Sequence, residues 1–161
     1  MKKFLVPTDF SETSKNAASY AAQMAAAIPG AKVVLINVSD KFTAGSDGSP
    51  LTETKKDRRT ILQQALAHMG DEMRSVANVE IEYVIEEGSS LVETLERFVR
   101  HQGVHMIVMG ITGASRLEQL FIGSNTLVMV DAGVCPVMIV PPAAKFKPIK
   151  NRLFASVFKK V

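Results

Sequence analysis

The sequence predicts an α/β fold: a single doubly wound domain with a five-stranded parallel sheet and helices on both faces. Short apolar runs alternate with helix-like segments along the 161 residues, which favours strand–helix–strand units. The second run is continuously apolar, as is typical of a strand buried on both faces. Polar or glycine residues follow the first, second and fourth runs, where parallel sheets bind their ligands.

The first half of the chain accounts for two strands and two helices. Residues 3–7 are an apolar run that stops at Thr8-Asp9, which predicts the first strand. Hydroxyl side chains within 11–14 supply N-cap oxygens, and apolar residues then recur at helical spacing until Pro29-Gly30. The β-branched run 32–38 predicts the second strand. Residues 51–76 predict a long amphipathic helix, whose apolar positions are Ile61, Leu62, Ala65, Leu66, Met69 and Met73.

The second half predicts the remaining elements. Residues 79–85 alternate apolar and acidic side chains, which predicts an edge strand with one solvated face, ended by 86–88. Ser89-Ser90 caps a helix that stops at Gly103. Residues 104–109 predict a buried fourth strand, a short helix begins at Asn125, and 136–140 predict the last strand.

The charge is unevenly divided, and this excludes some functions. Residues 1–144 hold 13 Lys and Arg against 16 Asp and Glu, a balance of −3, whereas the last 17 residues hold six cations and no acid. A nucleic-acid-binding body is therefore not indicated. No apolar stretch reaches the length of a membrane span or signal peptide, so we expect a cytoplasmic protein without membrane contact. The three histidines lack metal-ligand spacing, and no metal-binding residues are predicted.

Glycines between the fourth strand and the last helix predict a phosphate site. Gly110, Gly113 and Gly123-Ser124 form the pattern G-x2-G-x9-G-S. Gly110 and Gly113 can take positive φ and lack a Cβ where a ligand approaches closely. Gly123 and Ser124 lie where free amide N–H groups open the next helix. Arg116 is long enough to reach a terminal phosphate from this loop, although a solvated loop arginine is an equal alternative.

Taken in order, these pieces resemble the ATP-binding branch of the universal stress protein family over residues 2–141. The resemblance is carried by five short pieces: residues 7–11, Asn37-Val38, residues 106–110, the glycine pattern through Asn125, and residues 135–140. It implies an adenine nucleotide alpha hydrolase-like fold with strand order 3-2-1-4-5. The folded domain is expected to span 1–142.

The resemblance also implies the nucleotide contacts. Pro7, Thr8 and Asp9 correspond to the end of the first strand, where the acidic residue holds the nucleoside. Val38 corresponds to the position whose backbone reads the adenine edge. The residues that correspond to the ribose and phosphate contacts are Met109, Gly110, Gly113, Gly123, Ser124 and Asn125. Mg²⁺ or Mn²⁺ would share the phosphate charge.

The implied function is an ATP-binding regulator or sensor in stress response, with little or no hydrolysis. The sequence lacks G-x-x-x-x-G-K-[ST] and an evident base for water, so it is not a P-loop NTPase. The alternative is a nucleotide-free dimeric interaction module of the same fold, and an enzyme acting on an adenylated substrate is a weaker third interpretation. The family resemblance implies a homodimer, or a pseudo-dimer, paired through the last strand.

The basic segment 143–161 has two interpretations. Residues 149–158 align without a gap on residues 1–10, with Lys150 on Lys2 and Leu153 on Leu5. The segment is then a linker followed by the first strand of an incomplete second copy of the domain. Alternatively, it is a basic tail that contacts an acidic partner.

Overall fold

The computed structural model of the chain describes residues 2–39, 51–111 and 124–148. Strands and helices alternate along these residues. In chain order the elements are β1 (Lys2–Pro7), α1 (Glu12–Ala26), β2 (Ala31–Ser39), α2 (Leu51–Val76), β3 (Glu80–Glu87), α3 (Leu91–Gln102), β4 (Met106–Gly110), α4 (Ser124–Ala132) and β5 (Val137–Val140).

The five strands form one sheet in the order β3-β2-β1-β4-β5, and every pair is parallel. This confirms the predicted fold class and strand order. The chain runs outward from β1 to β3 and then crosses to β4 on the other side of β1. The strand order therefore reverses between β1 and β4, which is where doubly wound sheets bind ligands.

Helices cover both faces of the sheet. On one face, alanines of α1 and the α2 residues Leu66, Met69 and Met73 pack with alternate residues of β1 and β2. On the other face, α3 contributes Val92, Leu95 and Val99, and α4 contributes Met129. The small side chains of α1 allow close approach to the sheet, and α1 also contacts β4.

The predicted helix boundaries match the caps in the structure. Ser11 is the N-cap of α1, which begins at Glu12, and the Ser11 hydroxyl accepts a hydrogen bond from the Ser14 amide. The Ser90 hydroxyl likewise accepts from the Glu93 amide and caps α3. Gly103 ends α3 in the left-handed conformation, with φ of 62°. These residues supply or satisfy the groups that a helix terminus leaves unpaired.

Three local predictions were wrong. β3 does not end before Glu86, because its pairing with β2 continues until Ser39 lies opposite Glu87. β4 begins at Met106 and not at 104, since its pairing with β1 starts there. Ile61, placed by periodicity on the buried face of α2, is 64% exposed. Helical spacing identifies a face but not how far along the helix that face remains covered.

The residues after β5 pack back on α1. The Asn16 amide donates to the Pro141 carbonyl at 2.9 Å. The Phe146 ring meets the Tyr20 ring edge-on, with 5.4 Å between centroids. The domain boundary at 142 stays a prediction, and residues 149–158, the proposed second-copy strand, lie outside the described residues. Among the helices described, none combines the length and apolar character needed to cross a membrane.

Candidate functional site

A crevice of about 340 Å³ opens at the carboxyl ends of β1, β2 and β4. The first residues of α3 and α4 complete its walls. The residues that line it are Pro7, Thr8, Asp9, Ser14, Asn37, Val38, Leu91, Met109, Gly110, Asn125 and Thr126. The crevice therefore lies at the topological switch point, where the fold class predicts a ligand.

Most of the predicted site residues that the structure describes meet in this crevice. The predicted residues among its lining are Pro7, Thr8, Asp9, Val38, Met109, Gly110 and Asn125. Ser124 is the first residue of α4. Gly113, Arg116 and Gly123 lie outside the described residues, so the larger part of the predicted phosphate loop stays a prediction.

Thr8 holds the loop after β1 by hydrogen bonds in several directions. Its amide donates to the Ile36 carbonyl of β2 at 2.9 Å. Its buried hydroxyl accepts from the Phe10 amide at 2.9 Å and lies 3.0 Å from the Ser14 hydroxyl and 3.4 Å from the Met69 sulfur. The Thr8 hydroxyl therefore serves the architecture of the loop, because its hydrogen-bonding capacity is used within the protein.

Phe10 gives this loop an unusual backbone conformation. Its φ is 65°, and within the described part of the chain no other non-glycine residue has a positive φ. A bulky side chain adopts this left-handed conformation rarely, at a cost of roughly 1–2 kcal/mol. The half-buried Phe10 ring packs against the α1–α2 side of the core, which offsets that cost. The turn places Asp9 at the mouth of the crevice.

Asp9 is exposed and is held in its turn by Ser11. The Ser11 hydroxyl and amide both donate to one Asp9 carboxylate oxygen, at 2.5 and 3.0 Å. Partial burial opposes ionisation of Asp9, but hydrogen bonds from Ser11 and Ser14 outweigh it, so the Asp9 pKa lies below its ordinary value. The N-cap of α1 is Ser11, not Asp9. Asp9 is thus an exposed anionic acceptor at the crevice.

The backbone of Val38 faces the open end of β1. The Ile36 carbonyl bonds to Thr8 on the β1 side, whereas the Ser39 carbonyl accepts from Gly88 on the β3 side. Backbone groups alternate sides along a strand, so the Val38 N–H and C=O point to the β1 side. β1 ends at Pro7, which is opposite Ile36, and no strand residue of β1 lies opposite Val38. One donor and one acceptor therefore border the crevice.

Asn37 has an unused buried acceptor. Its side-chain amide nitrogen donates to the Thr8 carbonyl at 2.8 Å, and this bond fixes the orientation of the side chain because a carbonyl only accepts. Its Oδ1 is buried and has no hydrogen-bond partner among the residues that the structure describes. Such a group is costly unless a water or ligand donor reaches it.

Gly110 lines the crevice for a reason that differs from the predicted one. Its φ is not positive, because it is the last extended residue of β4. A Cβ at this position would lie 2.7 Å from the carbonyl carbon of Thr13 and closer still to its oxygen. The space that a side chain would need is therefore filled by the first turn of α1. Gly110 does not use the positive φ that a glycine can take, and its missing Cβ makes room for a helix.

The crevice has one apolar and one polar wall. On the α3–α4 side of the sheet, Val38, Leu91 and Met109 belong to or pack against the same apolar cluster. The opposite wall carries hydroxyl, amide and carboxylate groups. Among the described lining residues Asp9 carries the only charge, and no group of three potential metal ligands exists within the described ranges. This arrangement suits a flat ring with hydrogen-bonding edges.

Sequence reasoning missed four lining residues, which are Ser14, Asn37, Leu91 and Thr126. Asn37 was detectable as a polar residue within an otherwise apolar strand. Thr126 directly follows the predicted Asn125, and it is 4% exposed. Ser14 and Leu91 gave no distinct signal, because each has an ordinary structural interpretation at a helix start.

The chain is similar to universal stress proteins in sequence and in structure. The sequence model described as the universal stress protein family matches residues 1–141. Universal stress protein MJ0531 of Methanocaldococcus jannaschii is 28% identical over 148 residues, which cover 89% of this chain and 84% of the relative. A solved structure of a universal stress protein family member from Burkholderia pseudomallei is 26% identical to this chain and has a TM-score of 0.61. The match covers 87% of this chain and 96% of the Burkholderia chain. A universal stress protein solved in complex with cAMP shares the fold at 23% identity and a TM-score of 0.65, with 86% and 96% covered.

Proposed function

The chain belongs to the universal stress protein family, and we propose that it binds ATP in the crevice as a nucleotide-dependent regulator of stress response. The observation that carries the proposal is the Val38 backbone, whose N–H and C=O border the crevice beside the exposed carboxylate of Asp9, with no described strand residue of β1 opposite them. The structure of a family member with cAMP supports an adenine nucleotide as the ligand class.

The base would lie beside Val38, in line with the end of β1. Adenine presents a donor amine next to an acceptor ring nitrogen, which complements the adjacent C=O and N–H of one residue. The ribose would then lie toward Asp9, whose ionised carboxylate accepts hydrogen bonds from hydroxyl groups. Neither contact requires a hydrogen bond among the described residues to break, because the Asp9 carboxylate can accept further hydrogen bonds and no strand residue of β1 lies opposite Val38.

The phosphates would extend toward the start of α4. Asn125 and Thr126 lie in its first turn and line the crevice, and a helix N-terminus offers unpaired N–H groups and a favourable dipole. In our proposal Gly113, Arg116, Gly123 and Ser124 complete this end. Mg²⁺ or Mn²⁺ would arrive with the phosphates and keep most of its water ligands, since Asp9 is the one carboxylate in the described lining.

In our proposal the regulatory role comes from ATP binding itself and not from hydrolysis. A bound nucleotide biases a protein toward the conformation or assembly that binds it better. We propose a cytoplasmic homodimer, or a pseudo-dimer, paired through β5. Two observations support this surface: β5 pairs only with β4 among the described strands, and neighbouring α4 exposes about half of Leu127, Val128 and Val130.

Calorimetric titration of the full chain with ATP and Mg²⁺ tests the proposal. We expect binding, and an Asp9→Ala variant that binds at least about tenfold more weakly, because a hydrogen bond to a charged group contributes roughly 1.5–3 kcal/mol. Glu12→Ala is the matched control, because Glu12 is an acid of the same region that does not line the crevice. Absence of heat at millimolar ATP, or equal affinity in both variants, contradicts the proposed site.

The exposed apolar surface of α4 also favours the alternative, a nucleotide-free dimeric interaction module. The two functions differ in how assembly responds to nucleotide. Sedimentation velocity with and without ATP separates them: the regulator changes its assembly with ATP, whereas the interaction module dimerises identically in both conditions.

A further inference from the structure

Leu91 lies at the margin of the core, where the apolar cluster meets the crevice. The buried residues of α3 that pack against the sheet are Val92, Leu95 and Val99, whereas Leu91 is half-buried and lines the crevice. It is the first residue of α3 and the part of that helix that reaches the crevice lining. Its side chain packs against the apolar cluster and also borders the crevice.

The position of Leu91 is fixed by the hydrogen bonds around the preceding residue. The Ser90 hydroxyl caps the helix, and the Ser90 carbonyl accepts from the Thr94 hydroxyl at 2.8 Å. Gly88 lies so close to the Thr94 side chain that a Cβ would overlap it. These contacts hold the start of α3 against the end of β3. Leu91 is therefore presented to the crevice by a rigid support, as a specificity-determining residue requires.

The direction of the Val38 backbone fixes how a base would meet Leu91. Hydrogen bonds of a parallel strand lie near the plane of the sheet, so a base bonded to the Val38 N–H and C=O lies roughly in that plane. Its two faces then point toward the two helix layers. Leu91 belongs to the α3–α4 layer, and it packs against the same cluster as Val38.

We propose that Leu91 is a specificity-determining residue that covers one face of the nucleobase and selects ligands with a flat purine ring. The inference rests on the proposed function, because it requires a base at Val38. Leu91 then contributes through apolar contact with the ring and makes no contribution that depends on the number of phosphates.

The first experiment uses the absence of tryptophan from the chain. Leu91→Trp introduces a single tryptophan, whose indole can be excited separately from the two tyrosines. This indole would stack on the base, and a stacked adenine should quench its fluorescence. Phe98→Trp is the matched control, because Phe98 lies two turns further along α3 and packs against the same cluster without lining the crevice. We expect saturable quenching by ATP and by AMP in Leu91→Trp and none in Phe98→Trp. Equal quenching in both variants, or calorimetric binding to Leu91→Trp without quenching, overturns the inference.

A second variant keeps the test decisive if the tryptophan substitution disturbs binding. Leu91→Ala should weaken AMP and ATP by the same factor, roughly five- to twentyfold, because it removes contact with the base alone. Unchanged affinity, or a loss confined to ATP, overturns the role of Leu91 while leaving nucleotide binding intact. If the unmodified chain binds neither nucleotide, the proposed function fails and this inference fails with it.

Discussion

Substituting Gly110 by alanine distinguishes a glycine that accommodates a helix from one that accommodates a ligand. A Cβ on Gly110 would lie 2.7 Å from the Thr13 carbonyl carbon and 3.3 Å from the Ser14 amide nitrogen. Both neighbours are backbone atoms in the first turn of α1, which packs on β4 and is capped by Ser11. They cannot rotate away as a flexible side chain would, so either α1 or the end of β4 must move.

Overpacking of this kind costs about 1–3 kcal/mol in the free energy of unfolding. A chain of this size loses roughly 2–4 °C in melting temperature per kcal/mol, so the expected decrease is roughly 2–12 °C. Thermal and urea unfolding of the nucleotide-free protein, followed by circular dichroism, measure it. Nucleotide affinity should fall as well, because Gly110 and Ser14 line the same crevice.

Gly103 supplies the control for this experiment. Its φ is +62°, and a Cβ there would meet nothing within 4 Å, so Gly103→Ala is destabilising through the backbone alone, by about 1 kcal/mol. Asparagine tolerates the left-handed region and should recover part of that loss at Gly103, but none at Gly110. If Gly110→Ala leaves stability within about 0.5 kcal/mol of the parent and abolishes nucleotide binding, our reasoning is refuted and the glycine serves ligand approach.

Three further perturbations test other contacts. Ser11→Ala should lower the free energy of unfolding by about 1 kcal/mol, since it removes the N-cap of α1; NMR titration should also show the Asp9 pKa rising toward its ordinary value. Because the folded-state pKa of Asp9 is depressed, its contribution to stability is present above the unfolded-state pKa and disappears as the pH falls through the folded-state pKa. This loss of stability in acid should be smaller in Ser11→Ala. An unshifted Asp9 titration in the variant contradicts the assignment. Gly70→Ala should change stability little, because the gain in helix propensity of about 1 kcal/mol is opposed by overlap with the Tyr83 side chain. In a Tyr83→Ala background the same substitution should clearly stabilise the protein in urea unfolding. Equal effects in both backgrounds argue against the overlap. Phe146→Ala removes the ring that packs edge-on against α1 and should cost about 1–2 kcal/mol in urea unfolding, while a value near zero would mean that residues after 142 do not stabilise the domain.

Most of the fold was predictable because the apolar pattern of buried strands and the residues that cap helices are local features of the sequence. The continuous apolar run of β2 and the Ser90 and Gly103 boundaries of α3 are read directly from neighbouring residues. The ends of β3 and β4 were misplaced because strand ends depend on the partner strand, as the pairing of Ser39 with Glu87 shows. The residues next to a strand end do not indicate how far its partner strand extends.

The candidate site was predictable where residues follow strand ends and not where they come from helices. Thr8 and Asp9 stand directly after an apolar run, so their place at the crevice follows from the fold class. Leu91 reads as one more apolar residue on a helix face, and only the packing of α3 reveals that it borders the crevice. Gly110 was chosen correctly as a lining residue, but its steric role depends on Thr13, which is far away in sequence.

The first turn of α1 joins two of the three strand ends that form the crevice. Thr13 rests on the end of β4, and Ser14 bonds to Thr8 at the end of β1. These ends therefore cannot move apart independently, and the part of the crevice between them, next to the proposed nucleoside site, is preorganised before any ligand arrives. Little conformational entropy remains to be lost there on association. Exchange of a bound nucleoside should consequently be limited by the breaking of its own contacts rather than by opening of the sheet.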